Sequence, residues 1–165
     1  MNKPNLPPVT LSKGDHKRLQ TIGRSLAEQS HPLAAALLQE LGRAELREPD
    51  GIPEGTVTLD RLVTYRIDGA EAERHYLVHP EDSMWSPAEI SATTPVGITL
   101  LGLSTGHRMS MIGSTLREPP SVEVVAVGRA ATSGLARRPA FARVSSRAEK
   151  CHGTLHRYGA LAPEE

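Results

Sequence analysis

The first fifty residues carry their apolar side chains at helical spacing. Leucines and an isoleucine recur at intervals of three and four, which predicts two amphipathic helices, from about residue 13 to 29 and from about 32 to 47. The two stripes are Leu19, Ile22 and Leu26, then Leu33, Leu37, Leu38 and Leu41. Ser12 followed three residues later by Asp15 has the spacing of a capping box, which marks the start of the first helix.

Only about three residues separate the two predicted helices, and a connection this short makes neighbouring helices antiparallel. Residues 11–49 are therefore expected to form a short helical hairpin, or coiled coil, after an extended lead-in at residues 1–10. Each arm would be about 25 Å long at the 1.5 Å rise of an α-helix. The tip of the hairpin consists of Glu28, Gln29, Ser30 and His31.

From residue 56 onward the period of the pattern changes to two, which predicts β-strands. The expected strands are residues 56–60, 61–67, 73–79, 89–91, 107–112 and 121–127. An Asp-Gly pair at residues 68–69 is a strong hairpin-turn signal between two of them. Short strands joined by hairpins predict an antiparallel sheet, so the fold class is α+β, with the sheet domain at residues 50–128.

The most apolar run, ITLLGL at residues 98–103, can be interpreted in two ways. Thr94 before Pro95 is a helix-start signal, because a hydroxyl can cap the helix and proline fits its first position. Gly102 stands where a left-handed C-cap would be needed. The alternative, a buried strand over residues 96–103, would carry a glycine in its interior and lacks alternation. The pattern favours a short, mostly buried helix.

The periodic pattern of apolar residues ends beyond residue 128, where the net charge of the chain also changes from negative to positive. Residues 1–128 carry 12 Lys and Arg against 16 Asp and Glu, whereas residues 129–165 carry 7 against 3. The second segment has no sustained apolar period, so it is expected to be a basic, disordered tail. Its cations could hold a nucleic acid weakly through phosphate contacts, although a solvated tail is the simpler interpretation.

Composition restricts the environment and the chemistry of the chain. Cys151 is the only cysteine, which excludes an intrachain disulfide and fits a reducing, cytoplasmic compartment. No stretch approaches the ~20 apolar residues that span a bilayer, so no membrane partner is expected. Cys151, His152 and His156 are ligand types that zinc accepts, but a structural zinc site needs four ligands in a folded loop.

Motifs in the sheet region resemble the C-terminal domain of the Gre transcript-cleavage factors. The sequence SATTPVG at residues 91–97 is followed by Leu-Leu-Gly at 100–102 and by Gly106, in the order of that family. The hairpin is shorter than the coiled coil of the Gre factors, and PEGTVTL follows it at residues 53–59. In both respects the chain looks more like the regulators of nucleoside diphosphate kinase, a family of smaller relatives. The resemblance covers residues 8–128.

This resemblance implies a fold and a partner. The fold is a twisted antiparallel sheet around one short helix, similar to the FK506-binding proteins. The partner is bacterial RNA polymerase, at the rim of its secondary channel, with docking residues that correspond here to Ser91, Thr94, Pro95 and Val96. The chain departs from the family pattern at Thr94, where serine is usual, and at His107, where an acid is usual.

Transcript cleavage by the Gre factors requires two acidic side chains at the hairpin tip, where they help to hold a divalent metal ion. Glu28 is the only acid at the tip of this chain, so the resemblance implies polymerase binding without RNA cleavage. We therefore expect a regulator of transcription with no catalytic residue, no cofactor and no metal ion.

A second candidate function comes from the implied likeness to the FK506-binding proteins, which is prolyl isomerisation or chaperone-like activity. Such a pocket is walled by several aromatic rings, and the sheet domain offers only Tyr65, Tyr76 and Trp85. Core packing or a place on a sheet face explains these three residues more simply. His75 and His79 share a strand face but are too far apart for a favoured metal pair.

Overall fold

The computed structural model describes residues 6–130 of the chain. This part contains helices α1 (Lys13–Glu28), α2 (Ala34–Gly42) and α3 (Pro95–Leu100). Its strands are β1 (Thr10–Ser12), β2 (Glu45–Arg47), β3 (Arg61–Ile67), β4 (Glu73–Val78), β5 (Glu89–Ser91), β6 (Arg108–Ser110) and β7 (Ser121–Ala130). The predictions for residues 1–5, for the tail at 131–165 and for Cys151, His152 and His156 lie outside the described residues.

Helix α1 begins where the capping signal predicts. The hydroxyl of Ser12 accepts a hydrogen bond from the backbone N–H of Asp15 at 2.9 Å, which satisfies one of the free donors of the first turn. Two contacts show that α2 runs back along α1: the His16 ring lies 3.1 Å from the carbonyl oxygen of Leu41, and Gly23 packs against Leu38. The predicted antiparallel hairpin is confirmed.

The prediction that the second helix runs to about residue 47 is wrong. Helix α2 ends at Gly42, and β2 (Glu45–Arg47) pairs in parallel with β1 (Thr10–Ser12). The backbone N–H of Glu45 donates to the carbonyl of Val9 at 2.8 Å, so pairing with the lead-in draws this segment out of the helix. With nine residues, α2 is only about 13 Å long.

The main sheet has five strands in the order β5-β4-β3-β7-β6. Its central pairs are antiparallel as predicted, but β4 and β5 run parallel. The ten residues between these two strands, 79–88, include a 3₁₀ turn at Pro80–Asp82, and a crossover of this kind returns the chain to the same direction. The sheet is therefore mixed, and β5 is one of its edge strands.

Three strand boundaries differ from the prediction. Residues 56–60 form no strand of the sheet, because only Thr56 bridges to Ser104. Strand β6 is limited to Arg108–Ser110, whereas β7 continues to Ala130. The pairing of β7 with β3 is interrupted by two register shifts, between Arg61 and Val63 and between Thr64 and Tyr65.

Helix α3 confirms the helical interpretation of the apolar run. The hydroxyl of Thr94 caps its first turn, Pro95 occupies its first position, and Gly102 follows it with a φ of +72°. Ile98, Leu100 and Leu101 are almost completely buried. They belong to one continuous core that also contains hairpin residues, among them Leu19, Leu37 and Leu41. The short helix therefore joins the sheet to the hairpin. No helix within residues 6–130 has the length and apolarity to cross a membrane.

Candidate functional site

The segment to which the family resemblance assigns docking, residues 91–97, is a tightly bonded turn between β5 and α3. The carbonyl oxygen of Ser91 accepts from the hydroxyl of Thr94 at 2.8 Å and from its backbone N–H at 3.1 Å. The same hydroxyl accepts from the N–H of Gly97 at 3.0 Å. Ser91 also shares a hydroxyl hydrogen bond with Thr93 at 2.9 Å. Thr94, which stands where serine is usual in the Gre pattern, thus caps the first turn of α3.

Glycine at position 97 is required by the close approach of two backbone segments. A Cβ atom there would overlap the carbonyl oxygen of Ser91 and press on the backbone of Ala92. Because backbone atoms cannot rotate away as a flexible side chain can, only glycine lets α3 begin so close to the end of β5. The glycine of the motif therefore fixes the shape of the turn.

The chemistry of this turn suits recognition. The hydroxyls of Ser91 and Thr94 are engaged within the turn, so neither is presented as an activated nucleophile. The segment SATTPVG contains no charged side chain, and Pro95 and Val96 are both half-buried. The result is a rigid, uncharged surface that can meet an apolar partner without first becoming ordered.

His107, the second departure from the Gre pattern, has a structural role in the turn before β6. Its Nδ1 atom accepts a hydrogen bond from the backbone N–H of Ser104 at 3.2 Å. A carboxylate is also an acceptor, so histidine can replace the usual acid in holding this turn.

The four residues of the predicted hairpin tip, 28–31, are all exposed. Ser30 has a φ of +56°, and the backbone N–H of His31 donates to the carbonyl of Leu26 at 2.8 Å. The Nδ1 atom of His31 accepts from the N–H of Leu33 at 3.2 Å, which fixes the ring beside the turn. Glu28 ends α1 and supplies the single carboxylate of the tip.

The hairpin is fastened to the sheet region along its length. Arg18 in α1 pairs with Asp82 at 2.8 Å. Leu33, beside the tip, packs against Gly113, and the guanidinium of Arg43 contacts the sulfur of Met109 at 3.4 Å. The tip can therefore extend only a short distance from the rest of the described chain.

Arg43 and Glu40 form a partly buried ion pair that was not predicted from the sequence. Glu40 is 4% exposed, and Arg43 binds its carboxylate as well as the carbonyl of Pro7. The spacing of three residues on one helix was the available signal. The pair holds the end of α2 against the lead-in.

His75 and His79, which the sequence did not favour as a metal pair, each have a hydrogen-bonding role. His75 lies 3.0 Å from the hydroxyl of Tyr65, whereas His79 is buried and accepts from the N–H of Glu81 at 3.3 Å. Burial raises the pKa of the Tyr65 hydroxyl well above its usual value, and the Glu73 carboxylate beside it adds to the shift. In the described part of the chain, no three His, Cys, Asp or Glu side chains are grouped as metal ligands.

The placement of the aromatic residues is only partly as expected. Tyr65 is a core residue at 2% exposure, but Trp85 is 94% exposed and belongs to a loop, which contradicts the expectation that it fills a core or lies on a sheet face. Since one ring is buried and the other lies in water, Tyr65 and Trp85 cannot wall the same pocket.

The arrangement of hairpin, sheet and short central helix is similar to that of a solved structure, the prokaryotic transcription elongation factor GreA/GreB from Nitrosomonas europaea. The two share 32% sequence identity with a TM-score of 0.59, over 73% of this chain and 99% of that one. This likeness defines the class of the protein as a Gre-like transcription factor.

Sequence comparisons identify the family within this class. The N-terminal family profile of Rnk (Rnk N-terminus) matches residues 7–46. The regulator of nucleoside diphosphate kinase from Escherichia coli K12 is 32% identical over 101 residues, which are 61% of this chain and 74% of that protein. The same protein of Shigella flexneri matches with the same figures. The chain belongs to the family of the regulator of nucleoside diphosphate kinase.

Proposed function

We propose that this protein is a non-enzymatic regulator of transcription that binds RNA polymerase at the rim of its secondary channel. Ser91, Thr94, Pro95 and Val96 would form the contact. The observation that carries the proposal is the geometry of the turn at residues 91–97: the motif that resembles the Gre docking segment is rigid, uncharged and half-buried. A preformed surface of this kind loses little conformational entropy when it binds.

The hairpin supports binding without transcript cleavage. A metal-assisted cleavage site at the tip needs more than one carboxylate, and Glu28 stands there alone. The contacts of Arg18 and Leu33 with the sheet region also limit how far the tip, with Gln29, Ser30 and His31, can reach into the channel. Occupying the rim would exclude true cleavage factors without replacing their chemistry.

Two finer features of the fold belong to the same proposal. We propose that the sheet region at residues 50–128 is related in architecture to the FK506-binding proteins and that the hairpin at residues 11–49 is a reduced coiled coil. The protein would act in the cytoplasm, together with the polymerase. Isomerase activity has no support from the aromatic residues, because Tyr65 and Trp85 do not converge. Any nucleic-acid contact by the tail remains a prediction.

Binding of purified RNA polymerase to the immobilised chain tests the proposal. Replacing Pro95 with alanine should weaken binding by about tenfold, the effect expected of a central contact residue. The circular dichroism spectrum should be unchanged. Pro119→Ala is the matched control, since Pro119 is an exposed proline in the connection between β6 and β7, beside the other edge strand. Equal retention of polymerase by both variants would contradict the proposed docking surface.

A further inference from the structure

Trp85, the only tryptophan of the chain, is displayed in water on the loop before β5. It is 94% exposed, and its neighbour Met84 is 61% exposed. Its φ of +58° lies in the left-handed region, where a bulky side chain is a genuine outlier. Strained conformations persist only where surrounding contacts hold them, and they cluster at functional sites.

The loop has such contacts. The carboxylate of Glu89 accepts from the hydroxyl of Ser83 at 3.1 Å and from the backbone N–H of Met84 at 2.9 Å. The hydroxyl of Ser83 in turn accepts from the N–H of Trp85 at 3.2 Å. Three hydrogen bonds therefore fix the backbone that carries the indole, and the ring is presented from an ordered support.

An exposed indole contributes little to the stability of the isolated chain, yet tryptophan is the side chain that contributes most when a partner buries it. Methionine beside it can adapt its shape to an irregular apolar surface. The pair has the composition of an interface anchor.

The position of the loop indicates which partner it meets. Strand β5 (Glu89–Ser91) connects the loop directly to the turn at residues 91–97, and its three residues span only about 10 Å. The loop and the turn therefore lie at the two ends of one short edge strand. Residues 80–89 contain three carboxylates and neither Lys nor Arg, and Arg18 pairs with one of the three. This charge fits an apolar pocket bordered by cations, which also attract an indole face.

We propose that Trp85 and Met84 form a second anchor on RNA polymerase, inserted into an apolar pocket that is rimmed by Lys or Arg side chains. This inference rests on the proposed function. The second anchor would be separated from the turn at residues 91–97 by β5, a strand about 10 Å long. It explains why the loop keeps a strained, exposed tryptophan.

The first test uses affinity for purified RNA polymerase. Trp85→Asn removes the indole while asparagine tolerates the left-handed backbone, so the fold should persist. We expect at least about tenfold weaker binding, as for an interface hot spot. Leu116→Asn is the matched control: Leu116 is 63% exposed, in the connection between β6 and β7, and its replacement should change affinity less than about twofold, as for most surface residues.

The second test measures burial of the ring itself. The chain labelled with 5-hydroxytryptophan at its single tryptophan position can be excited selectively in the presence of polymerase, and acrylamide quenching then reports access to the ring. We expect strong quenching of the free chain and protection in the complex. Unchanged quenching in the complex would overturn the proposal, as would protection that develops with chain concentration alone, which would mean self-association.

The outcomes separate this inference from the proposed function. If the wild-type chain does not bind polymerase, both fail. If binding depends on Pro95 but Trp85→Asn binds as tightly as wild type, the proposed function stands and the second anchor is wrong.

Discussion

At the scale of single residues, Gly97 determines the shape of the docking turn. Gly97→Ala should lower the free energy of unfolding by about 1–3 kcal/mol, because the new Cβ overlaps the Ser91 carbonyl and the backbone must move. Gly14→Ala is the control, since its Cβ would meet only the Ser12 hydroxyl at 3.8 Å. Urea unfolding compares the two variants. Equal stability of both would show that the close approach is not a constraint.

Asp15 is a second residue whose environment leads to a measurable effect. Burial raises the pKa of its carboxyl above the ordinary value, and the charge of Asp60 acts in the same direction. The folded state therefore disfavours the ionised form. The contribution of Asp15 to folding stability is therefore complete below the pKa that its carboxyl has in the unfolded chain. It is lost as the pH rises through the pKa of the carboxyl in the folded protein.

Asp15→Asn should therefore make the chain more stable than wild type at neutral pH, because the amide carries no charge to desolvate. The advantage should shrink as the pH falls below the pKa of Asp15. Denaturant unfolding at pH 7.5 and in mild acid measures both values, with the exposed Asp50→Asn as control. If Asp15→Asn were less stable than wild type at neutral pH, the conclusion that the folded state disfavours the ionised carboxyl of Asp15 would be contradicted.

At the scale of elements, the end of α2 depends on the Arg43–Glu40 pair. Arg43→Ala would leave the carboxylate of Glu40 buried without its cation, which should cost about 3 kcal/mol of unfolding free energy. Arg47→Ala removes an exposed pair with Glu45 and should cost less than about 1 kcal/mol. Thermal unfolding distinguishes them. A loss at Arg43 no larger than that at Arg47 would mean that the pair does not hold the hairpin.

The elements also show what a sequence can and cannot predict. The start of α1 at Ser12 and the start of α3 at Thr94 follow from local capping signals, and both are confirmed. The predicted end of the second helix was wrong because Glu45–Arg47 is a strand that pairs with residues 35 positions earlier in the chain. The direction of β5 was missed for a similar reason, since a crossover connection and not a local pattern decides it.

At the scale of the whole molecule, the hairpin and the sheet region share one core, and the tip stands close to the body of the described chain. Adding the purified protein to a backtracked polymerase complex should leave the rate of RNA cleavage unchanged, because Glu28 is the only carboxylate at the tip. A Gre cleavage factor in the same assay is the positive control. Faster cleavage with the protein alone would contradict the absence of this activity.

The candidate site could be predicted in part. The turn at residues 91–97 was predictable because Thr94 and Pro95 are local helix-start signals, whereas its docking role comes only from the family resemblance. The conformation that exposes Trp85 could not be predicted from the sequence, because it depends on hydrogen bonds that Glu89 makes across the loop. The contact that holds the tip against the sheet region could not be predicted either, because Leu33 and Gly113 are 80 positions apart in the chain.

Competition for RNA polymerase tests whether the protein occupies the rim of the secondary channel. A fluorescently labelled Gre cleavage factor is bound to core polymerase, and the unlabelled protein is titrated in while anisotropy is recorded. We expect complete displacement at saturating concentrations of the protein, with a midpoint at or above its own dissociation constant and with the Pro95→Ala curve shifted about tenfold higher. Anisotropy that stays constant while the protein binds polymerase would show that the two factors occupy different sites and would contradict the account.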